Sequence, residues 1–426
     1  MQSERRDPSR YGVLYISMDG LLEPLGHSQI VEPLLRLANR GWRYTVVSLE
    51  KSDDVADGAR VASLKRRLRH VGIEWRFARY RTGGAQSVLQ NLAMLVGRAL
   101  AAGPPRLIHA RSHLPSAVAA LVSKASGAPY IFDFRGYWIE ERLLEERWIR
   151  PGRPYAIAKR IEAEIMSRAA GAVTLTDLAR DDLLEGRFGS WGTKPASTIT
   201  TCADYERFRR NGPTDAIPAD LRSRLDGKLV VGYVGSINRS YLVHESLGLF
   251  ARIRQLHPEA HLLCLTRQTT PMWQAIETAG IPPDAVTVTT ADHGNIDQWL
   301  RLCDWGLLLL TTHASKRGSM PTKLGEFFAA GVRPIHYGCN EEVGRWVAAA
   351  GTGITLPDCS QASLDQAAHE VVNRPRDESA IARGVEITRP HFALDSAVDK
   401  YDELYRQLLS QRMRGCKVRP GSAPAR

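Results

Sequence analysis

The sequence predicts an α/β protein of two Rossmann-like domains, each built on a parallel sheet. Length is the first ground: 426 residues exceed what one ordinary core organises and suit two domains of about 200 residues each. The second is alternation. Strand-like apolar runs and amphipathic helical runs follow one another almost throughout, as parallel sheets with helical crossovers require. The third is recurrence: the cycle starts again at Leu229–Val234, a near-continuous apolar run ending in Gly235-Ser236.

In the first half, Tyr11–Ser17 reads as a strand and Met18–His27, with Gly20 and Gly26, as the loop after it. A helix through Ile30–Asn39 stops at Gly41, and Tyr44–Ser48 is the second strand. The densest basic run, Arg60 to Arg81, opens on an amphipathic helix with Val61, Leu64, Leu68 and Val71 along one side. Such a helix can be a solvated face, or can lie on an anionic membrane surface where each nearby basic residue contributes about 1 kcal/mol. Ser87–Ala102 reads as a buried helix, interrupted by Gln90, Asn91 and Arg98. No stretch reaches the roughly 18 apolar residues of a membrane span. Further strands are expected at Leu107–Ala110, Tyr130–Phe134, Ala172–Thr176 and Thr198–Thr201.

Two of those strands end in charge. Ile108–Pro115 carries His109, Arg111, Ser112 and His113; Ile131–Arg142 carries Asp133, Arg135, Glu140 and Glu141. Open α/β sheets bind ligands beyond the carboxyl ends of their strands, which makes these candidate binding or catalytic groups. An Asp133–Arg135 pair that merely fixes a loop fits the same spacing.

The second half continues with strands at His261–Leu265, Val286–Thr289, Gly306–Leu310 and Val332–His336. Glycines 232 and 235 at the end of its first strand allow a backbone to approach a phosphate closely, although a tight strand-to-helix turn explains them equally. The segment Ser319-Met-Pro-Thr-Lys-Leu-Gly-Glu-Phe-Phe-Ala-Ala-Gly331-Val-Arg-Pro334 is the most informative stretch of the chain. Ser319 suits an N-cap, Pro321 a first helical turn and Gly331 a C-terminal stop. Lys323 and Glu326 are one turn apart and share a face. A helix N-terminus with a lysine beside it suits a phosphate, and a carboxylate one turn deeper suits a ribose diol. A solvated helix face carrying Lys and Glu is the plain alternative.

Composition narrows the partners. Hydrophobic content of 43% and a mean hydropathy of −0.26 describe a globular chain. The first residues lack the apolar core of a secretory signal. The six cysteines, Cys202, Cys264, Cys303, Cys339, Cys359 and Cys416, have no paired spacing, which favours a reducing cytoplasm over a disulfide frame or zinc site. A net charge of +11 and a pI near 9.5 imply an anionic partner, but no nucleic-acid-binding module is recognisable.

Ser-x-Pro-Thr-Lys-x-x-Glu-Phe-x-Ala-x-Gly-x-x-Pro resembles the donor-site helix of bacterial glycosyltransferases of the GT-B fold, in the large family 4 group. Gly-Tyr-Val-Gly-Ser at 232–236, His-Ala-Arg-Ser at 109–112, Phe-Asp-x-Arg-Gly-x-Trp at 132–138 and Asp19-Gly-Leu-Leu-Glu-Pro-Leu-Gly-His-Ser-Gln29 extend the resemblance, which runs from about Tyr11 to Leu409. It implies two domains facing across a cleft, with a C-terminal helix crossing back to the first domain. The expected boundaries are 1–208 for the acceptor-side domain, 209–390 for the nucleotide-sugar domain, 391–410 for the crossover helix and 411–426 for a disordered tail. Tyr401, Leu404, Tyr405 and Leu408 would be the apolar stripe of that helix.

The resemblance further implies a retaining sugar transfer from a nucleotide-sugar donor to a glycan or lipid-linked acceptor, at the cytoplasmic side of a membrane. Gly235, Ser236, Arg239, Thr322, Lys323 and Glu326 would hold the donor, with Asn238 or Tyr241 as alternatives to Arg239. Asp133, Arg135 and His109 would be catalytic, Asp133 as base or as orienting acceptor. Gly26, Arg111, His113 and Glu141 would line the acceptor side. No Asp-x-Asp motif occurs, so no metal or other cofactor is expected. Two departures stand out. Many family members carry a first glutamate with seven residues between it and the second, and here Gly318 takes that place. Thr200-Thr-Cys-Ala-Asp204 replaces the commoner Asn-Gly-Val-Asp. A non-hydrolysing nucleotide-sugar epimerase, or a non-catalytic nucleotide- or glycan-binding subunit, are the competing functions. A dinucleotide dehydrogenase is disfavoured, because no Gly-x-Gly-x-x-Gly follows either first strand.

Overall fold

The computed structural model describes residues 12–144, 151–292 and 294–416. The chain forms two compact units, one built from residues up to Ile199 together with those from Ala397 on, the other from Thr200–Ser396.

The first unit is a seven-stranded parallel sheet of β1 (Gly12–Ser17), β2 (Arg43–Glu50), β3 (Ile73–Arg79), β4 (Leu107–Arg111), β5 (Tyr130–Phe134), β6 (Gly171–Thr174) and β7 (Ala196–Thr198). Its order is β3-β2-β1-β4-β5-β6-β7. The chain winds outward through α1 (Glu32–Asn39) and α2 (Gly58–His70), then returns through α3 (Ala85–Leu100) to lay β4 beside β1. It continues through α4 (His113–Ser126), α5 (Trp138–Leu144), α6 (Arg153–Arg168) and α7 (Asp177–Leu184). Right-handed crossovers therefore place α1 and α2 on one face of the sheet and α3, α4 and α6 on the other. Covered on both faces, the central strands are apolar almost without interruption. Leu14, Ile16, Ile108, Phe132 and Phe134 are buried against Leu95, Val118 and Met166 of the covering helices. The register aligns Ser17 with Arg111 and Arg111 with Asp133, which puts three strand ends in one row.

The helix Leu394–Cys416 closes the other face of this unit. Its predicted stripe, Tyr401, Leu404, Tyr405 and Leu408, is buried. Trp42 meets Tyr405 edge-on at 5.1 Å and donates from its indole to Asp402 at 2.7 Å. The helix extends through 411–416, which composition had assigned to a tail; residues 417–426 of that tail, like Tyr11, lie outside the described residues.

Other sequence expectations need correction. The basic run continues past α2 into the edge strand β3, whose Arg76 and Arg79 masked its period-two pattern. The helix α3 is not buried all round, since Leu89 and Leu100 face outward. The loop after β1 contains a helical turn, Pro24–Gly26, and a π-helical turn, His27–Val31, that feeds α1. The strand expected at 198–201 is Ala196–Thr198. Residues 200–208 belong to the second unit, where Arg207 donates to Asp297 at 2.8 and 3.0 Å.

The second unit is a six-stranded parallel sheet ordered β10-β9-β8-β11-β12-β13. Its strands are β8 (Val230–Val234), β9 (His261–Leu265), β10 (Val286–Thr289), β11 (Trp305–Thr312), β12 (Arg333–Cys339) and β13 (Ile354–Thr355). The helices that matter to the site are α8 (Val243–Leu256), α9 (Thr322–Ala330) and α10 (Glu341–Ala350). Tyr233, Phe250, Leu262, Leu307 and Ile335 anchor its core. Each such side chain, fully buried, contributes roughly 1.5–3 kcal/mol.

Candidate active site

Each sheet reverses its winding once, between β1 and β4 in the first unit and between β8 and β11 in the second. Ligands bind open α/β sheets beyond the strand ends at such switch points. The residues singled out from sequence gather at both.

In the first unit the row of strand ends carries a buried charge cluster. The Asp133 carboxylate is fully buried and accepts from Arg135 at 2.6 Å and from His109 Nε2 at 3.1 Å, with Arg111 at 3.7 Å. Arg111 donates through Nε to Asp19 at 2.7 Å. Burial alone would raise the Asp133 carboxyl, but Arg135, His109 and Arg111 together hold it well below the usual carboxylate range. Burial lowers His109 from the ordinary imidazole value despite Asp133. A neutral ring donating through Nε2 must accept at Nδ1, and Tyr405 supplies that hydroxyl at 2.6 Å. Tyr401 similarly accepts from Arg135 at 2.9 Å. Asp133 thus holds Arg135 and His109 by hydrogen bonds, with Arg111 beside them. Asp19, 43% exposed, is the carboxylate of this cluster that solvent reaches.

The other first-unit candidates disperse. His113 lies at the start of α4 and bonds Glu162 of α6 at 2.7 Å, its ring edge-on to Phe132 and stacked with Trp138. Lys159 completes that group by pairing with Glu162 and with Glu140. His113 therefore ties two helices to the sheet, apart from the hydrogen bonds of the Asp133 cluster. Glu141 is half-buried on α5. Gly26 packs against the backbone of Gly20, where any side chain would collide with the Gly20 carbonyl. Glu50, unremarked in the sequence, holds this loop: its buried carboxylate accepts from Leu21 N at 2.8 Å, Leu22 N at 3.1 Å and Ser48 Oγ at 2.6 Å.

In the second unit Lys323, on the first turn of α9, is buried. Its ammonium donates to the Val234 carbonyl and lies 4.0 Å over the Tyr241 ring. Gly235 is next along the chain, with φ of 130°. A Cβ there would lie 2.9 Å from the Lys323 nitrogen, and the positive φ itself favours glycine. Burial lowers Lys323 to about 7, partly offset by Glu326. Burial raises Glu326 to about 7, opposed by Arg207 and Lys323. Thr322 opens α9, Ser236 is exposed with its hydroxyl accepting from Asn238 at 2.8 Å, and Arg239 is exposed.

The cap of α9 differs from expectation. Pro321, not Ser319, is the N-cap, and no side chain caps the helix. Asn340 does the organising: its amide donates to the carbonyls of Lys316 at 2.8 Å and Ser319 at 2.6 Å, while its oxygen caps α10. Nothing local in the sequence marks Asn340 except its place before the acidic start of α10. Gly331 ends α9 at φ 64°, as its position implied.

Residues 30–192 match the family model of the glycosyl transferase 4-like domain. The first half of the chain thus carries a glycosyl transferase 4-like domain. The chain has the GT-B fold, and solved structures match it over nearly its full length. A glycosyltransferase from Rickettsia africae superposes with a TM-score of 0.67 at 14% identity, covering 94% of this chain and 98% of that one. Anabaena HepE in complex with UDP-glucose gives 0.66 at 16% identity, over 94% and 99%. A candidate UDP-N-acetylglucosamine 2-epimerase from Listeria monocytogenes gives 0.60 at 12% identity, over 92% and 94%. At such identities the likeness is one of fold. No curated protein matches the chain in sequence.

Proposed function

We propose that the chain is a glycosyltransferase that takes its sugar from a nucleoside-diphosphate donor held by the second unit. The acceptor is a glycan or a lipid-linked precursor, made for the cell surface, and the reaction is retaining and metal-independent. One observation carries the reading: a buried lysine beneath the glycine turn of the switch-point strand, with a carboxylate one turn further along the same helix. Lys323, with the N-terminus of α9 and Arg239, neutralises the diphosphate as the bond from the anomeric carbon to its oxygen breaks. The acceptor hydroxyl oxygen bonds to that carbon on the face the diphosphate leaves, and its proton passes to a departing phosphate oxygen. Glu326 accepts from the ribose hydroxyls. On the acceptor side Asp133 holds Arg111, Arg135 and His109 in place, and Asp19 meets the acceptor.

HepE binds UDP and UDP-glucose, which makes UDP the first ligand to try. Calorimetric titration of UDP, GDP, ADP, dTDP and CDP should find one tight binder in the wild type. Glu326→Ala should weaken it by at least about tenfold, the loss of charge-assisted hydrogen bonds. If none of the five binds folded protein, the donor assignment is wrong. Free nucleotide released in proportion to glycosylated acceptor separates transfer from epimerisation, and binding without turnover would mark a non-catalytic subunit.

A further inference from the structure

We propose that Tyr241 is a positioning residue of the donor site: the face of its ring holds the Lys323 ammonium beneath the Gly235 turn, so that the lysine meets the diphosphate as a cation. Burying an ammonium is costly unless hydrogen bonds or an opposite charge offset the lost water. Lys323 gets little of either. Of its three N–H donors one goes to the Val234 carbonyl. Among the described residues the one carboxylate that bears on it is Glu326, one turn along α9. The Tyr241 ring makes up the difference. The Lys323 nitrogen lies 4.0 Å from its centroid, inside the range of cation–π attraction, and 5.6 Å from that of Tyr233. Gly235 leaves room for this approach: a Cβ there would meet both the Lys323 nitrogen, at 2.9 Å, and Tyr241 Cζ, at 4.0 Å.

The ring is held in place by backbone on both sides of it. Tyr241 N donates to Asn238 O at 3.1 Å and Ser240 N to the Asn238 side chain at 2.9 Å, which closes a turn after Gly235. The chain then runs antiparallel to the end of β11, with a bridge between Tyr241 and Leu310. Thr311 N donates to Ser240 O and Leu242 N to Leu309 O, both at 3.1 Å. The ring therefore stands in position before any ligand arrives. Burial raises the Tyr241 hydroxyl, which keeps the phenol neutral and leaves its π face as the negative surface the ammonium meets. The other titratable groups about the pair are Tyr233 on β8, Cys339 at the end of β12, and Arg207, which acts on Glu326 and pairs with Asp297. Burial lowers Lys323 to about 7, so the attraction of one ring decides how much of it is charged at working pH.

This inference deepens the donor-site reading and rests on it. Tyr241→Leu and Tyr241→Met remove the ring and keep an apolar side chain, while Tyr241→Phe keeps the ring. Circular dichroism melting confirms that each variant is folded. In NMR of the full chain labelled at lysine Cε, the Lys323 resonance is the one that Lys323→Met removes. Without ligand its titration midpoint should fall by about one pH unit in the Leu and Met variants and stay as in the wild type in Tyr241→Phe. UDP affinity, or that for whichever of the five nucleotides the wild type binds, should then follow the lysine. The variants without the ring should match the wild type at about pH 5 and bind about tenfold more weakly at about pH 8, and Tyr241→Phe should restore the loss. A ring that only packs the loop, or that touches the nucleotide itself, would cost the same factor at both pH values. The proposal is overturned by an unshifted Lys323 midpoint in the Leu and Met variants, by an affinity loss equal at the two pH values, or by Tyr241→Phe behaving like Tyr241→Leu. If the wild type binds none of the five nucleotides, the donor reading fails and takes this role with it. Normal nucleotide binding beside an unshifted midpoint removes the tyrosine alone.

Discussion

Lys323 and Glu326 are the two groups whose burial brings their titration to the operating range, and their signs are opposite. Lys323 is lowered to about 7, so above that pH the unfolded chain holds a proton the folded one lacks. Stability attributable to it therefore rises with pH from about 7 towards the ordinary lysine value. Glu326 is raised to about 7, so its contribution is present at low pH and lost as pH climbs from the ordinary carboxylate value through 7. Without ligand the pair makes its least contribution near neutrality. A diphosphate reverses the case for Lys323 by favouring the ammonium. Titration of UDP above pH 7 should show proton uptake on binding and an affinity that falls up to about tenfold per pH unit. Lys323→Met should remove the uptake and weaken binding. Gly235→Ala puts a side chain at φ 130° against the lysine nitrogen and should lose both stability, by more than about 1 kcal/mol, and nucleotide affinity. At Asp133 the prediction separates two roles. If it positions cations, Asp133→Asn leaves Arg135 buried without its counter-charge and Arg111 with Asp19 alone, and costs about 3–5 kcal/mol of stability. A base, by contrast, would lose turnover with the melting temperature unmoved. Calorimetric melting beside activity decides between them.

At the scale of elements, the loop from β11 to α9 owes its shape both to its own turn, capped by His313, and to the residue that caps α10. Asn340 fixes the carbonyls of Lys316 and Ser319 and caps α10 with the same side chain. Asn340→Ala should cost about 1 kcal/mol for the cap alone and, because Lys316 and Ser319 lose their tether, should weaken donor binding more than stability. UDP affinity set against the denaturant midpoint of unfolding measures that split. The example shows why some of the site was legible and some was not. Lys323, Glu326, Gly235 and Gly331 answer to local rules of turn and helix spacing, and those rules placed them. The cap did not follow, because Ser319 is drawn away by a residue 21 positions on. Central strands announced themselves by apolar runs that both faces require. The edge strand β3 was hidden, since an edge tolerates Arg76 and Arg79. The partner of His113 was hidden for a related reason: a histidine at a strand end looks available, and only the packing of α6 shows it engaged by Glu162.

At the scale of the whole molecule, the first unit is not finished until the chain has passed through the second and come back. The C-terminal helix buries Tyr401, Leu404, Tyr405 and Leu408, contributions of roughly 1.5–3 kcal/mol each by area. It also supplies the partners that satisfy His109 and Arg135 of the buried cluster. A total stability of about 5–15 kcal/mol for a domain cannot absorb the loss of that face together with two hydroxyls of a buried charge network. A chain ending at Ser396 should therefore fail to form a native first unit, whereas the second, Thr200–Ser396, keeps every residue of the proposed donor site. Scanning calorimetry of the shortened chain should show the loss of one folded unit, and a UDP-dependent upward shift should persist in the transition that remains. Tyr405→Phe offers the finer measure. It keeps the ring against Trp42 and removes only the hydroxyl to His109, for an expected cost of about 1–3 kcal/mol from one unsatisfied buried nitrogen. A shortened chain that melts like the full one would show that the sheet, not the returning helix, holds the charge cluster together.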